Sequence, residues 1–208
     1  MEPNPRSSLA LPIFLLRRLG PLRTLSIAAE VAFRVARGEP FRALPPAHGP
    51  DSHEDHESRR QAAPAFVLYQ VLKARGFPDP LGLVGEIIEL AGVRFLAHAL
   101  GPIRQSDLAA LDDAGRRRWV DTRAARFPNA RPHFEEVSAT GVRFRITRCR
   151  FVTLANAIGE PALASVFCRA DERFFGQVEP GVELTRPHTL ATGGPDCPFT
   201  LRFRPGAP

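Results

Sequence analysis

The sequence has little of several residue types, and each shortage argues against a class of protein. Only one of its 28 basic residues is a lysine, Lys73, and the arginines form no run longer than Arg116-Arg117-Arg118. No stretch interleaves basic with aromatic residues, so we expect no nucleic-acid partner despite the net charge of +6. No apolar stretch is long enough to cross a bilayer, which argues against a multi-span membrane protein.

Cysteine is also scarce, with three residues in the chain. Cys149, Cys168 and Cys197 are nineteen and twenty-nine residues apart, without the CxxC pairs of a zinc signature. The apolar run from Leu9 to Leu16 is broken by Pro12 and precedes its arginines, which is the reverse of a secretory signal. We therefore expect a cytoplasmic protein with three reduced thiols.

What remains is the composition of an ordinary folded protein, 44% hydrophobic and 24% charged over 208 residues. This length suits one cooperative domain, residues 1–208, better than two enzyme domains. Within it we distinguish a basic helix and linker (1–60), a helical part (61–130) and a cysteine-bearing mixed part (131–208).

The first part begins with apolar positions at helical spacing between residues 9 and 37, with arginines among them. This pattern predicts an amphipathic helix, broken at Gly20-Pro21, that packs on the domain; contact with a membrane surface is a second alternative. Residues 38–60 are rich in Pro, Gly, His and acidic residues and predict a mobile linker. His53 and His56 could bind a metal there, although a solvated charged loop explains the same residues.

After residue 60 the sequence changes from helical to strand periodicity. Helices are predicted over 62–75, 81–100 and 107–127. Alternating polarity then predicts a hairpin over 133–138 and 142–151, helices near 154–158 and 161–170, and strands over 182–185 and 197–203. The predicted class is α+β, with a helical N-terminal two thirds packed on a C-terminal antiparallel sheet with one or two interleaved helices.

The residues with the strongest chemistry lie in the last sixty positions. Cysteine acts as a nucleophile or ligand in its thiolate form, and Arg169, Arg186 and His188 could supply the positive charge that favours a thiolate. Asp171, three residues after Cys168, could orient His188 or act as a general base on water. Cysteine is also among the most buried residue types, so a core role for these thiols stays open.

Five short motifs in this region are shared with a known family. They are Arg148-Cys149-Arg150-Phe151, Gly159-Glu160-Pro161, Phe167-Cys168-Arg169-Ala170-Asp171, Arg186-Pro187-His188-Thr189-Leu190-Ala191 and Gly193-Gly194-Pro195-Asp196-Cys197-Pro198-Phe199. Their order resembles the C-terminal signature of the L-2-amino-thiazoline-4-carboxylic acid hydrolase family, over about residues 134–203. Pro198 stands where that family usually has an aspartate, a departure that concerns the substrate more than the fold.

The resemblance implies a hydrolase of cysteine metabolism that opens a small thiazoline-like, carboxylate-bearing C=N ring by adding water. For the base that activates water, Asp171 is the first choice and His188 the second. Cys168 is a candidate nucleophile on the ring carbon. Arg186, with Thr189, is the candidate binding group for the carboxylate of this small-molecule substrate.

Other hypotheses for the cysteines stay open. Cys149, Cys168 and Cys197 together could hold a metal ion that activates water. A looser resemblance, carried by three C-terminal cysteines with a phenylalanine after the last, is to iron-binding carotenoid isomerases, which would need a wider apolar cavity. A small ligand-binding sensor domain is the third hypothesis and would need no perturbed thiol. The sequence predicts no oligomeric state.

Overall fold

The computed structural model describes residues 10–204, and helices form most of the part before the sheet. Within the described residues these helices are α1 (Ala10–Leu19), α2 (Pro21–Ala36), α3 (Ser52–Ala74), α4 (Pro80–Leu100), α5 (Gln105–Ala109) and α6 (Asp113–Ala124). The helix predicted over 107–127 is therefore two helices, α5 and α6. Residues 1–9, including Leu9 of the predicted first helix, and residues 205–208 lie outside the described range.

The break in the first amphipathic segment lies where the sequence predicts it. Gly20 has a φ of +76°, which favours glycine, and Pro21 occupies the first turn of α2, where no N–H is needed. Ile27 is buried against the domain. The opposite side of α2 exposes large apolar residues: Leu22, Leu25 and Phe33. No helix in residues 10–204 combines the length and the apolar character needed to cross a bilayer.

Residues 52–60 differ most from the sequence prediction, because they form the first turns of α3 and not a linker. Asp55 and Ser58 are buried there. The Ser58 hydroxyl donates to the Pro128 carbonyl at 3.1 Å, and Arg150 lies 3.6 Å from the Asp55 carboxylate. The linker prediction was wrong for these residues because their partners lie far along the chain, where local composition gives no sign of them.

A four-stranded antiparallel sheet forms the C-terminal part, in the order β1-β2-β4-β3. Its strands are β1 (His133–Val137), β2 (Gly141–Ile146), β3 (Val182–Thr185) and β4 (Cys197–Phe203). Between β2 and β3 the chain forms α7 (Arg150–Ala157) and α8 (Leu163–Arg173). The predicted α+β class with interleaved helices is confirmed.

Strand β2 ends at Ile146, earlier than the alternation predicts. The Arg150 N–H donates to the Asn129 carbonyl at 2.7 Å, and Cys149 occupies the N-cap position of α7. Cys149 therefore begins a helix, and a single bridge pairs it with Ala130. The prediction that Cys149 closes a strand was wrong, since the helix start overrides the local alternation.

Helix α8 packs closely on α4, and this contact positions the residues that follow. A Cβ added at Gly92 would lie 2.5 Å from the Ala170 Cβ, so a side chain at 92 would push the helices apart. Glu89 of α4 pairs with Arg169 and Arg173 along the same contact. This close approach fixes the position of α8, so that Asp171, which follows Ala170, lies at the cavity between the helices and the sheet.

Candidate functional site

An apolar cavity of about 190 Å³ lies between one face of the sheet and helices α4, α6 and α8. Strands β2 and β4 line it with the faces that the alternation predicts: Val142, Phe144, Ile146, Phe199, Leu201 and Phe203. The rings of Phe144 and Phe199 stack with 4.6 Å between their centroids. Because the wall is mostly hydrocarbon, its few polar groups determine the chemistry that the cavity can support.

Four polar or charged side chains lie among the described residues of the cavity wall: Arg123, Asn129, Asp171 and Arg202. Asp171 is the one carboxylate in that set. About a quarter of its side-chain surface is accessible. A carboxylate on an apolar wall is the kind of group that serves as a general acid or base.

Asp171 is held by Arg186, which follows strand β3. One guanidinium nitrogen donates to the Asp171 carboxylate at 2.8 Å, and the other donates to the Cys168 carbonyl at 2.9 Å and to Glu172 at 3.0 Å. The Arg186 side chain is only 3% exposed and lies 5.0 Å from the centroid of the Phe199 ring. These bonds fix the carboxylate at the cavity wall.

Burial and charge act in opposite directions on this pair. Burial raises the pKa of Asp171 to about 6, because removing water disfavours the carboxylate more than Arg186 favours it. For Arg186, burial works to lower the pKa, but the charge of Asp171 reverses this and raises it overall. Arg186 therefore stays charged, while Asp171 can gain or lose a proton close to neutral pH.

The two thiols nearest this pair are neutral at physiological pH. Burial raises the pKa of Cys168 to about 12, and the nearby charge of Arg186 does not compensate. Burial also raises the pKa of Cys197, although its sulfur accepts a hydrogen bond from the Leu190 N–H at 3.2 Å. The positive charge that was expected to favour a thiolate is therefore outweighed by desolvation.

The three cysteines are free thiols. Within residues 10–204, no three or more histidine, cysteine or acidic side chains are grouped closely enough to hold a metal ion. This finding covers Cys149, Cys168 and Cys197 as well as the pair His53 and His56.

His188 belongs to a different polar group from Asp171. Its Nε2 lies 2.8 Å from the Asp196 carboxylate, which also binds Arg145. Hydrogen bonds from Arg145 and then His188 lower the pKa of Asp196. His188 is 40% exposed and is not among the residues that line the cavity, so its ring is tied to Asp196 and not to Asp171.

Thr189 has a role in the backbone turn before β4. Its hydroxyl accepts the Thr192 N–H at 3.2 Å, and its own N–H donates to the Thr192 hydroxyl, also at 3.2 Å. These reciprocal bonds cap the short helical turn Leu190–Thr192. This turn precedes Cys197 at the start of β4, so the contacts of Thr189 stabilise the backbone before that strand.

A sequence model described as L-2-amino-thiazoline-4-carboxylic acid hydrolase matches residues 57–201. The matched region runs from helix α3 to strand β4 and covers more than half of the chain. The chain belongs to this family. No curated protein matches it.

The motifs of this family member include Asp171, the one carboxylate among the described residues of the cavity wall. Among the motif residues, Arg186 contacts both Asp171 and Phe199. Arg123 and Trp119 also line the cavity and are not among the residues that the motifs identified. Their spacing of four on a helix was the available signal, since it places the two side chains on one face.

Proposed function

We propose that this member of the L-2-amino-thiazoline-4-carboxylic acid hydrolase family adds water to the C=N carbon of a small ring, with Asp171 as the general base. The observation that carries the proposal is a carboxylate with a pKa of about 6 on the wall of an apolar cavity. Such a group is ionised at neutral pH yet close enough to its pKa to return the proton.

In the proposed reaction, Asp171 takes a proton from water while the water oxygen bonds to the C=N carbon. The π electrons of the C=N bond move to the ring nitrogen, and Asp171 passes its proton to that nitrogen. In the collapse, the remaining O–H proton moves through Asp171 to the ring sulfur as the carbon–sulfur bond breaks and C=O forms. The net change is addition of one water and opening of the ring.

Arg186 acts in this scheme as a positioning residue. Its two terminal nitrogens are committed to Asp171, Glu172 and the Cys168 carbonyl, and its buried Nε has no acceptor among residues 10–204. A guanidinium with no accessible donor is poorly placed to bind a substrate carboxylate as well. We therefore assign Arg186 to holding Asp171, in place of the carboxylate-binding role that the resemblance implies.

The test compares Asp171→Asn with Glu172→Gln. Both carboxylates bind Arg186, but Glu172 is 66% exposed and does not line the cavity. With 2-aminothiazoline-4-carboxylate and 2-substituted thiazoline-4-carboxylates as substrates, Asp171→Asn should lower kcat by about 10²- to 10⁴-fold. Glu172→Gln should keep most of the activity. Equal activity of the two variants would overturn the proposal.

Two alternatives give different outcomes in the same assay. If Cys168 is the nucleophile, Cys168→Ser abolishes turnover although the protein stays folded. If Cys149, Cys168 and Cys197 hold a metal, metal analysis of the purified protein finds one equivalent that each Cys→Ser variant loses. The neutral state of Cys168 favours the Asp171 mechanism over the first alternative.

A further inference from the structure

We propose that the cavity binds a carboxylate with an apolar, ring-containing body, and that Arg123 binds the carboxylate. This assigns the carboxylate-binding residue and the apolar ring substituent of the substrate of the hydrolase proposed above, and it rests on that function in so far as the ligand is its substrate. Arg123 is a cation on the cavity wall that the family motifs do not include.

Arg123 is held in place at the cavity by its own helix and by the end of α4. Its Nε donates to the Leu100 carbonyl at 2.9 Å, and one terminal nitrogen lies 3.4 Å from the Trp119 carbonyl. The guanidinium lies 3.5 Å from the centroid of the Trp119 ring, in a cation–π contact. A guanidinium fixed by carbonyls and stacked on a ring keeps donors available for a planar anion.

No carboxylate in the described part of the chain lies within ion-pair distance of Arg123. Burial lowers its pKa, and the neighbouring charge of Arg126 lowers it further, although Asp107 acts in the opposite direction. The protein thus holds this cation at a cost that an anionic ligand would relieve. Uncompensated charge beside an apolar cavity is the feature that points to a ligand.

The other arginines near the cavity are less suited to this role. Arg186 is committed to Asp171, Glu172 and a backbone carbonyl, as described above. Arg202 is exposed on β4, where water already solvates its charge. Arg123 therefore takes over the role in carboxylate binding that the sequence resemblance implied for Arg186.

The residues that line the cavity determine which ligand body fits beside the carboxylate. Aromatic rings from the helices and the sheet surround the space: Trp119, Phe127, Phe134, Phe144, Phe199 and Phe203. A cavity of about 190 Å³ has roughly the volume of six water molecules in the liquid, enough for one substituted ring. A ring with an apolar substituent suits these walls better than one with an amino group, which would find few acceptors there.

The single tryptophan of the chain allows a direct binding test. Trp119 fluorescence is titrated with phenylacetate, with the neutral isostere phenylacetamide and with acetate, which lacks the ring. We expect saturable binding of phenylacetate and at least about tenfold weaker binding of the other two, a ratio equal to about 1.4 kcal/mol. Calorimetry repeats each titration, because changes at Arg123 also alter the surroundings of Trp119.

Arg126→Gln is the matched control for Arg123→Gln. Both arginines donate to a carbonyl at the end of α4, Arg123 to Leu100 at 2.9 Å and Arg126 to Ala99 at 2.8 Å. Of these two arginines, Arg123 lines the cavity and Arg126 does not. Arg123→Gln should weaken phenylacetate binding at least about tenfold and leave phenylacetamide binding unchanged, whereas Arg126→Gln should change neither.

Three outcomes overturn the proposal: equal affinity of the wild type for phenylacetate and phenylacetamide, equal losses in the two variants, or no phenylacetate binding. This failure is distinguishable from failure of the proposed function. If phenylacetate does not bind but ring opening depends on Asp171, only the ligand class is wrong. If phenylacetate binds through Arg123 but Asp171→Asn keeps full activity, only the mechanism is wrong.

A second inference comes from helix α2, which lies outside the family match. We infer that its exposed apolar stripe, defined by Leu22, Leu25, Ala29, Phe33 and Ala36, contacts an anionic lipid surface. The three large residues are 81%, 67% and 61% exposed, and the spacing of three and four places all five on one face. A contiguous apolar stripe exposed on a protein surface indicates an interaction site.

Charge decides which occupant fits the stripe. In the described part of the chain, no carboxylate lies within ion-pair distance of Arg23 in α2 or of Arg37, which lies over the Phe33 ring. The same is true of Arg17 and Arg18 in the last turn of α1. The carboxylates of this region are already paired, Glu30 with Arg75 and Glu39 with Arg34. A second copy of the chain would bring two sets of arginines together, whereas anionic headgroups would neutralise them while the apolar residues enter the interface.

The test is co-sedimentation with vesicles of phosphatidylcholine alone or mixed with phosphatidylglycerol. Binding should require phosphatidylglycerol, and it should be lost in the triple variant Leu22→Ser/Leu25→Ser/Phe33→Ser. A control variant changes exposed arginines elsewhere, Arg118→Gln and Arg148→Gln, and should bind as the wild type does. Binding that ignores phosphatidylglycerol, or a dimer in ultracentrifugation that the triple variant abolishes, would overturn this inference.

Discussion

Two aspartate–arginine pairs in the C-terminal part show opposite behaviour. Asp171, paired with Arg186, has its pKa raised to about 6, whereas hydrogen bonds from Arg145 and His188 lower the pKa of Asp196. The Asp196 carboxylate is well covered, but by two side chains that are themselves 43% and 40% exposed. Asp171 instead lines the apolar cavity beneath the sheet.

The comparison shows that the balance between desolvation and hydrogen bonding sets the direction of each pKa shift. Arg145 and His188 both form hydrogen bonds with Asp196, and these two bonds outweigh its desolvation. Asp171 lies deep, where desolvation outweighs one shared guanidinium. The surface group suits a structural role before β4, and the deep one suits proton transfer.

The largest expected effect separates the two arginines. Arg186→Met leaves Asp171 without its cation in a deep site, and removal of one partner of a buried pair costs about 3 kcal/mol. Arg145→Met should destabilise the protein far less, because Arg145 is 43% exposed. Urea unfolding of both variants measures this difference, and equal losses would show that the two pairs have similar surroundings.

The pH dependence of stability should also differ in sign between the pairs. The folded pKa of Asp171 is above its unfolded value, so the folded state binds the proton more tightly. Its contribution is fully favourable below pH 4 and is lost, on the order of 3 kcal/mol, as the pH rises through about 6. Asp196 has the opposite sign, since its contribution is present above pH 4 and is lost as the pH falls through its lowered pKa.

Unfolding free energies between pH 3 and pH 8 test this prediction. Asp171→Asn should remove the decline between pH 4 and pH 6, and Asp196→Asn should leave it unchanged. In the proposed mechanism the ring-opening rate should rise over the same interval, because the base must be ionised. A wild-type stability that is flat from pH 4 to pH 7 would contradict the depth argument.

The sequence predicted the strands and the motif cluster better than it predicted the polar contacts. Val182–Thr185 and Cys197–Phe203 are strands at the predicted bounds, because alternation is a local property of the chain. The motifs contain both Asp171 and Arg186, but sequence reasoning assigned them separate roles, and only the fold shows that they pair. The assignment of His188 to Asp196 could not be predicted, since it depends on the tight turn at Gly193 and Gly194.

The burial of charged and titratable side chains also could not be predicted from the sequence. Of the three cations that the sequence reasoning expected near Cys168, Arg186 acts on the thiol, yet its pKa is raised and not lowered. Asp55 belongs to a segment that looks solvated, yet it is buried against Arg59 and Arg150. In both cases the fold determines how much water remains around the group, and local composition does not show this.

A smaller effect is expected at His188, which the sequence placed in the catalytic set. Gly194→Ala would add a Cβ 2.7 Å from the His188 ring and 3.0 Å from the Thr189 carbonyl, so the ring or the turn must shift. If the surface pair is structural, Gly194→Ala and His188→Gln should lower the unfolding midpoint slightly and keep kcat within about threefold of the wild type. A loss of kcat comparable to that of Asp171→Asn would return His188 to the catalytic site.

The smallest effect is expected at the thiols beside the two pairs, Cys168 next to Asp171 and Cys197 next to Asp196. Because burial raises the pKa of both, neither should react with iodoacetamide at pH 8 in the native protein, whereas all three cysteines should react in denaturant. Cys168→Ala should cost about 1 kcal/mol in unfolding free energy and leave ring opening largely intact. Mass spectrometry of the alkylated protein identifies each site. Rapid native alkylation of Cys168 that is blocked by a thiazoline carboxylate would mean that the deep site holds a thiolate, and desolvation would then no longer explain the contrast between the two pairs.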